Sequence, residues 1–239
     1  MRLNKYLAAA GVCSRREADR FIEQGLVSVN GQRASVGMQV EGNETICLKG
    51  KRVEPPTERL VIKFYKPAGV DCTKRDKYAK TTVFDLIQTP VSVNYAGRLD
   101  RDSEGLLLLT NDGGLIHSMM RGAAGHEKEY EVTVDKPVTE EFLQQLQNGI
   151  YLKELDRTSR KCKVIKQSQN SFVIVLTQGM NRQIRRMCEA CGYRVQSLRR
   201  TRVVNITLDG LERGQWKELS DRELSELFEI IGYQEGSEK

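Results

Sequence analysis

From Leu60 onward the chain repeats one pattern: short apolar or alternating runs, each bounded by turn residues. "LVIKFYKPAG", "GLLLLTND", "KEYEVTVDK", "SFVIVLTQG" and "RVVNITL" are too brief for helices and read as strands. Helical spacing interrupts them near Leu115 to Arg121, from Thr139 to about Gln147, and from Asn181 to Cys191. A last helix opens at Ser220, where Glu223 completes a capping box, and runs to about Ile231. Strands and helices out of strict alternation predict an α+β domain on a mainly antiparallel mixed sheet flanked by helices.

The first fifty residues differ in kind. "RLNKYLAAAGVCSRREADRFIEQGLVSVNGQ" predicts a short helix from Leu3 ending at Gly11. Ser14 then acts as N-cap with Glu17 three residues on, opening a second helix that Gly25 closes. "VSVNGQRAS" alternates around Asn30-Gly31, a strong hairpin signal, and "ETICLKG" adds a strand. A helix pair on a small sheet is therefore expected over residues 1–50. "KGKRVEPPTER" is charged, holds Pro55-Pro56 and lacks apolar periodicity, so residues 51–59 are expected to be a linker. Residues 60–233 would form the larger domain and residues 234–239 a disordered tail.

Charge and cysteine usage narrow the setting. Lys and Arg total 38 against 32 for Asp and Glu in 239 residues, a net charge of +6 and a pI near 9.0, which favours a polyanionic partner. Six unevenly placed cysteines, no signal peptide and no apolar run near membrane-spanning length predict a reducing, cytoplasmic setting with no membrane association. Arg2, Lys5, Arg15, Arg16 and Arg20 crowd the first two helices, interrupted by Glu17, Asp19 and Glu23. By charge alone, a solvated mixed surface explains them as well as a binding face does.

"YAGRLDRDSEGLLLLTNDGG" sets Asp100 and Asp102 among Arg98 and Arg101 in a turn ahead of an apolar run. A glycosidase pair needs its carboxylates about 5 Å or more apart across a sugar, which neighbours in one turn rarely achieve. His117 and His126 are the sole histidines, and neither stands at ligand spacing from a cysteine pair. An Asp-x-Asp fragment also lacks the rest of a calcium loop. We expect no metal and no cofactor, and each aspartate taken singly reads first as a turn or capping carboxylate.

In "MNRQIRRMCEACGY", Ile184, Met187, Cys188 and Cys191 recur as one apolar helix stripe, so Cys188-x-x-Cys191 reads as core rather than as a zinc or redox pair. Arg182, Arg185 and Arg186 occupy the other face at a helix start, where the macrodipole does not favour cations. An anion, either a carboxylate or an RNA phosphate, should compensate them.

The leading Arg-Leu, the Ser-Arg-Arg-x-Ala helix start and the Val-x-Val-Asn-Gly hairpin resemble the S4 RNA-binding module. That resemblance implies that Arg2, Lys5, Arg15, Arg16 and Arg20 face RNA, where phosphate contacts supply affinity and position but little sequence information. With "KPAGVDCT", "GRLDRDSEGLLLLTNDG", "KEYEV" and "GMNRQIRRM" following in order, nearly the whole chain resembles the pseudouridine synthases that modify ribosomal RNA. It is most similar to the branch in which an S4 domain precedes the catalytic domain. "HEKEYEVTVDKPVTEEF" further resembles the F-type members acting on the large subunit.

The resemblance implies that Asp100 is the catalytic carboxylate and gives Asp102 no such role. It makes Tyr130 the aromatic that stacks on uracil and takes part in removing the C5 proton, and Arg185 the partner of Asp100. Arg98, Leu99 and Ile184 would line the substrate pocket, with Arg182 and Arg186 at RNA. An arginine partner would hold the aspartate ionised, since an opposite charge within about 4 to 6 Å lowers a carboxyl pKa by roughly 1 to 3 units. The carboxylate acts on C1′ covalently, as base in an elimination at the sugar, or on C6 of the ring, and the sequence does not choose. The implied activity is isomerisation of one uridine in 23S ribosomal RNA by a monomer, with transfer RNA as a further candidate substrate. A small-subunit synthase and a non-catalytic S4-type RNA-binding protein are the alternatives.

Overall fold

A computed structural model of the chain describes residues 1–56, 58–74, 78–121 and 125–234. The expected tail at 234–239 lies outside the described residues from 235 onward.

Two helices, α1 (Leu3–Ala9) and α2 (Arg15–Glu23), pack on a sheet of β1 (Val27–Val29), β2 (Gln32–Arg33), β3 (Ile46–Leu48) and β4 (Lys51–Arg52), in the order β2-β1-β3-β4. The predicted capping box starts α2. Ser14 Oγ accepts from the Glu17 backbone N–H, and the Glu17 carboxylate accepts from the Ser14 N–H at 3.0 Å, satisfying two donors that the helix leaves open. Asn30 and Gly31 turn the β1–β2 hairpin with φ of 50° and 80°, the double positive φ that a type I′ turn demands. Leu3, Leu7, Ile22, Val27 and Ile46 form the core beneath.

This small sheet extends past the expected boundary at residue 50. Lys51 and Arg52 pair with Cys47 and Leu48, and Val53 is buried in the same core. Two exposed basic residues before one buried valine leave no apolar run to read, which is why the edge strand looked like linker.

The larger domain follows as β5 (Val61–Lys66), α3 (Val83–Leu86), β6 (Asn94–Tyr95), β7 (Glu104–Thr110), α4 (Gly113–Met120), β8 (Lys128–Val134) and α5 (Glu140–Asn148). It continues with β9 (Tyr151–Leu152), β10 (Arg157–Thr158), β11 (Lys163–Lys166), β12 (Ser171–Leu176), α6 (Gln183–Ala190), β13 (Val195–Val203), β14 (Ile206–Thr207), β15 (Trp216–Glu218) and α7 (Asp221–Ile231). The main sheet runs β11-β12-β8-β13-β7-β5-β15, with β14 on β13 and β6 on β7. Its pairings are antiparallel except β13 with β7, so the predicted α+β architecture holds. The helix α3 was not anticipated, being a single turn.

Both faces of β7 are covered, which explains its unbroken leucines. Leu107 and Leu109 pack with Ile62, Phe64 and Val83, whereas Leu106 and Leu108 pack with Leu115, Ile206 and Leu227 beneath α4 and α7. Burying each such leucine is worth about 1.5–3 kcal/mol. At the N-terminal end of β7 the backbone of β13 comes very close. Gly105 has φ of 112°, and a Cβ there would stand 2.3 Å from the Arg200 carbonyl oxygen. Only glycine allows this parallel contact, which brings β13 beside the Asp100 turn.

Candidate active site

Asp100 lies in the turn between β6 and β7, and that turn is latched to the one after β5. The Gly69 N–H donates to the Arg101 carbonyl at 2.7 Å. Lys66 is wholly buried and donates to the carbonyls of Pro67 and Val70 at 2.8 Å each and of Arg101 at 3.4 Å. Burial pushes its ammonium below the usual lysine range, while Cys72, Asp71, Asp102 and Asp100 pull it back up. One lysine thus ties two loops together by their carbonyls.

Arg200 works on the other side of the turn. Its Nε donates to the Leu106 carbonyl at 2.7 Å and its Nη1 to the Arg98 carbonyl at 3.5 Å, so it holds backbone both before and after Asp100.

The arginine cluster of α6 closes over the same turn. Arg182 donates from Nη1 and Nη2 to the two Asp102 carboxylate oxygens at 3.0 Å each, and its Nη1 stands 3.8 Å from Asp100 Oδ2. Arg185 donates to the Asp102 carbonyl at 3.0 Å, with its Nε 3.4 Å from that residue's carboxylate. The Arg182 hydrogen bond, helped by the Arg185 charge, holds the Asp102 carboxyl below its usual range against partial burial. Burial drives the Arg185 guanidinium down, opposed by Asp102, while Arg182 is raised by the carboxylate it grips.

The anion expected to compensate this helix start is therefore Asp102, shared by two arginines. The resemblance paired Arg185 with Asp100; among the described residues the arginine at ion-pair distance from Asp100 is Arg182. Arg186 faces away and pairs with Glu154, while its Nε donates to the Asn181 carbonyl at 3.1 Å.

Asp100, Tyr130, Leu99, Ile184, Leu198 and Arg98 line one cleft of about 590 Å³, within the range of ligand pockets. Tyr130 is half-buried on β8, cross-strand from Arg200 and Ile174. Leu99 and Ile184 are buried at 7% and 4% exposure, so these expected pocket residues form an apolar floor, and Arg98 stands exposed at the rim. An aromatic ring over an apolar floor beside a carboxylate can hold a flat base while its sugar is attacked.

Sequence reasoning missed Lys66, Lys128, Leu198 and Arg200. Lys66 sits at the end of a strand before Pro67, where a surface reading is natural. Leu198 and Arg200 fall in a stretch of β13 whose charges hid the strand, although their spacing of two puts both on the face carrying Tyr130.

Ile184, Met187 and Cys188 of the cysteine stripe are core, as expected, while Cys191 is only partly buried against them. Cys188 is fully buried with Met187, and burial pushes its thiol up to about 12. Among the described residues no group of three His, Cys, Asp or Glu side chains could hold a metal ion. None of their helices is long and apolar enough to cross a membrane. In the first domain Arg2, Arg15, Arg16 and Arg20 are exposed and Lys5 is partly so.

Comparison with known proteins identifies the family. Residues 60–190 match the RNA pseudouridylate synthase family and residues 1–46 the S4 domain. The dual-specificity RNA pseudouridine synthase RluF of Escherichia coli K12 is 46% identical over 97% of this chain and 79% of its own length. The ribosomal large subunit pseudouridine synthase B of Bacillus subtilis strain 168 is 37% identical over 95% of each chain. A crystal structure of a pseudouridylate synthase superposes with a TM-score of 0.71 at 28% identity, covering 95% of this chain and 99% of that one. The chain therefore belongs to the RNA pseudouridine synthases, in the group that carries an S4 domain ahead of the catalytic domain.

Proposed function

We propose that this enzyme converts a uridine of large-subunit ribosomal RNA to pseudouridine, with transfer RNA as a second substrate class. The relatives support this reading, one being named for the large ribosomal subunit and another for dual specificity. The observation that carries the catalytic part is the placement of Asp100 in one cleft with Tyr130, beside an arginine 3.8 Å away. Asp100 acts as nucleophile or base in breaking the N1–C1′ bond. The freed base turns on the Tyr130 ring, C5 bonds to C1′, N1 gains a proton and C5 loses its own. Arg182 stands at ion-pair distance from the Asp100 carboxylate, and the apolar floor keeps the detached base from escaping.

The deciding experiment is single-turnover tritium release from RNA labelled at C5 of uridine, with the product mapped on ribosomal and transfer RNA. Release by the wild type and its loss in Asp100→Asn, with RNA binding kept, is the expected result. Unimpaired release by Asp100→Asn would remove Asp100 from the chemistry. Product confined to small-subunit RNA would replace the target.

A further inference from the structure

The charges along the cleft do not balance. Arg98, Arg101, Lys128, Arg182 and Arg200 line it against two carboxylates, Asp71 and Asp100. Each carboxylate has its own arginine: Arg101 Nε is 3.7 Å from Asp71, and Arg182 Nη1 is 3.8 Å from Asp100. Arg98 is exposed at the rim, where water solvates it. Two cations remain, Lys128 and Arg200, and they are the ones withdrawn from water.

Arg200 is 2% exposed. Among the described residues its bonds go to carbonyls alone, and its Nη2 is buried without an acceptor. Lys128 is partly buried, and its ammonium donates to one carbonyl, that of His126, at 3.2 Å. Among the described residues no carboxylate lies within ion-pair distance of either. Burial pushes the Lys128 ammonium down, and the Arg200 charge pushes it the same way. A buried and a partly buried cation side by side without a counter-charge are unfavourable; shedding the Lys128 proton relieves this in the free enzyme, and an arriving anion offsets it with both charges kept. Water or a neutral carbonyl satisfies hydrogen bonds but leaves the repulsion in place.

Position identifies the anion. Lys128 and Tyr130 lie on one face of β8, and Arg200 pairs with Tyr130 in register. Arg200 also holds the Arg98 carbonyl two residues before Asp100. A nucleotide whose base lies on Tyr130 and whose C1′ faces Asp100 brings its flanking phosphodiesters to this wall. We propose that Lys128 and Arg200 form a seat for a non-bridging phosphate oxygen of the nucleotide flipped into the cleft. Lys128 makes the contact, and Arg200 adds charge and a free N–H behind it. The seat fixes the ribose by its phosphate, so that Asp100 meets C1′ rather than another sugar atom.

The proposal rests on this cleft receiving a flipped uridine, and wild-type tritium release from the same RNA tests that reading separately. The test uses an RNA stem-loop carrying the mapped target, in two forms. One has a neutral methylphosphonate on the 5′ side of the target and the other on the 3′ side. Each is 2′-deoxy at the sugar before the modified linkage and is compared with a matched 2′-deoxy phosphate control. Fluorescence anisotropy gives the dissociation constants of wild type, Lys128→Gln and Lys128→Arg.

The wild type should bind one of the two neutral RNAs about tenfold more weakly than its control, which also tells the 5′ phosphate from the 3′. Lys128→Gln should lose that difference, bind the control about tenfold more weakly, and show a log–log salt slope smaller by about 0.7. Lys128→Arg should keep the difference. Wild type indifferent to both neutral linkages overturns the proposal, as does Lys128→Gln that still discriminates. If Lys128→Gln weakens binding while both neutral RNAs bind wild type like their controls, the contact is to a base carbonyl and the phosphate seat is wrong.

Discussion

Arg182 grips Asp102 through two parallel hydrogen bonds of 3.0 Å each, from a left-handed backbone with φ of 50° and ψ of 34°. A non-glycine residue in this region carries strain that the surroundings must offset. The fork does so, and it sets the Arg182 guanidinium where Nη1 also reaches Asp100. Asp102 thus acts on Asp100 through an arginine.

Asp102→Asn should therefore impair the enzyme without silencing it. The amide keeps one acceptor for Arg182 but loses the charge that also holds Arg185, so single-turnover tritium release should fall about tenfold. Asp100→Asn should fall about 10³-fold or more, since a group acting at the reacting atoms is lost. Equal losses in the two variants would make Asp102 part of the chemistry.

Acid should act on the same pair. The folded-state pKa of Asp102 is depressed below the usual value of about 3.9, so its contribution is present above that pH and is lost as pH falls through the depressed value. Comparing wild type with Asp102→Asn in denaturant titrations from pH 7 to 2.5, the difference in stability should stay constant to about pH 4 and then shrink. A difference that grows below pH 4 would contradict the ion pair.

Gly105→Ala should be among the most damaging small substitutions in the chain. The new Cβ would stand 2.3 Å from the Arg200 carbonyl at a φ of 112°, and backbone atoms on both sides cannot yield as a flexible side chain can. We expect a loss of more than about 3 kcal/mol in urea unfolding, or separation of β13 from β7 with loss of activity. Gly31→Ala, at φ of 80° with nothing near its Cβ, should cost about 1 kcal/mol and serves as control.

What could be read in advance follows from how local each determinant is. The capping boxes at Ser14 and Ser220 and the Asn30-Gly31 turn satisfy themselves within four residues, so sequence alone exposes them. The cysteine stripe was equally legible, because one helix turn decides which face is buried. β13 was half hidden, since Arg199 and Arg200 look solvated until Glu131 and the Leu106 carbonyl, 68 and 94 residues away, come beside them. The same distance concealed the charge pairing at the site: three arginines in one helix predicted an anion, but which aspartate meets which arginine depends on how α6 settles on the turn.

The buried thiol of Cys188 gives a test at alkaline pH. Its pKa is pushed up to about 12, against about 8.5 for an unfolded cysteine. Below pH 8.5 both states carry the proton; above it the unfolded chain ionises while the folded one does not, so stability should decline from there toward pH 12. Cys188→Ala should flatten that decline relative to wild type, and Cys188→Ser should cost about 1–3 kcal/mol for burying a hydroxyl. Rapid labelling of Cys188 by a thiol reagent in the native protein would show that the site is open.

The S4 face is tested by salt. Arg15 and Arg16 open α2, where the helix dipole does not favour cations, and both are exposed. Because the capping box is made by Ser14 and Glu17, replacing these two arginines leaves the start of the helix intact. Phosphate contacts release counterions, so each lost contact lowers the slope of log affinity against log salt by about 0.7 to 0.9. Arg15→Ala/Arg16→Ala should weaken RNA binding at 50 mM salt and bind closer to wild type as salt rises, with a slope reduced by about 1.4 to 1.8. Single-turnover release at saturating enzyme should change little, since Asp100 and its arginines lie in the other domain. If affinity and slope both match wild type, RNA approaches the S4 domain by another face. If instead release collapses at saturation, the two arginines act on substrate positioning rather than on capture.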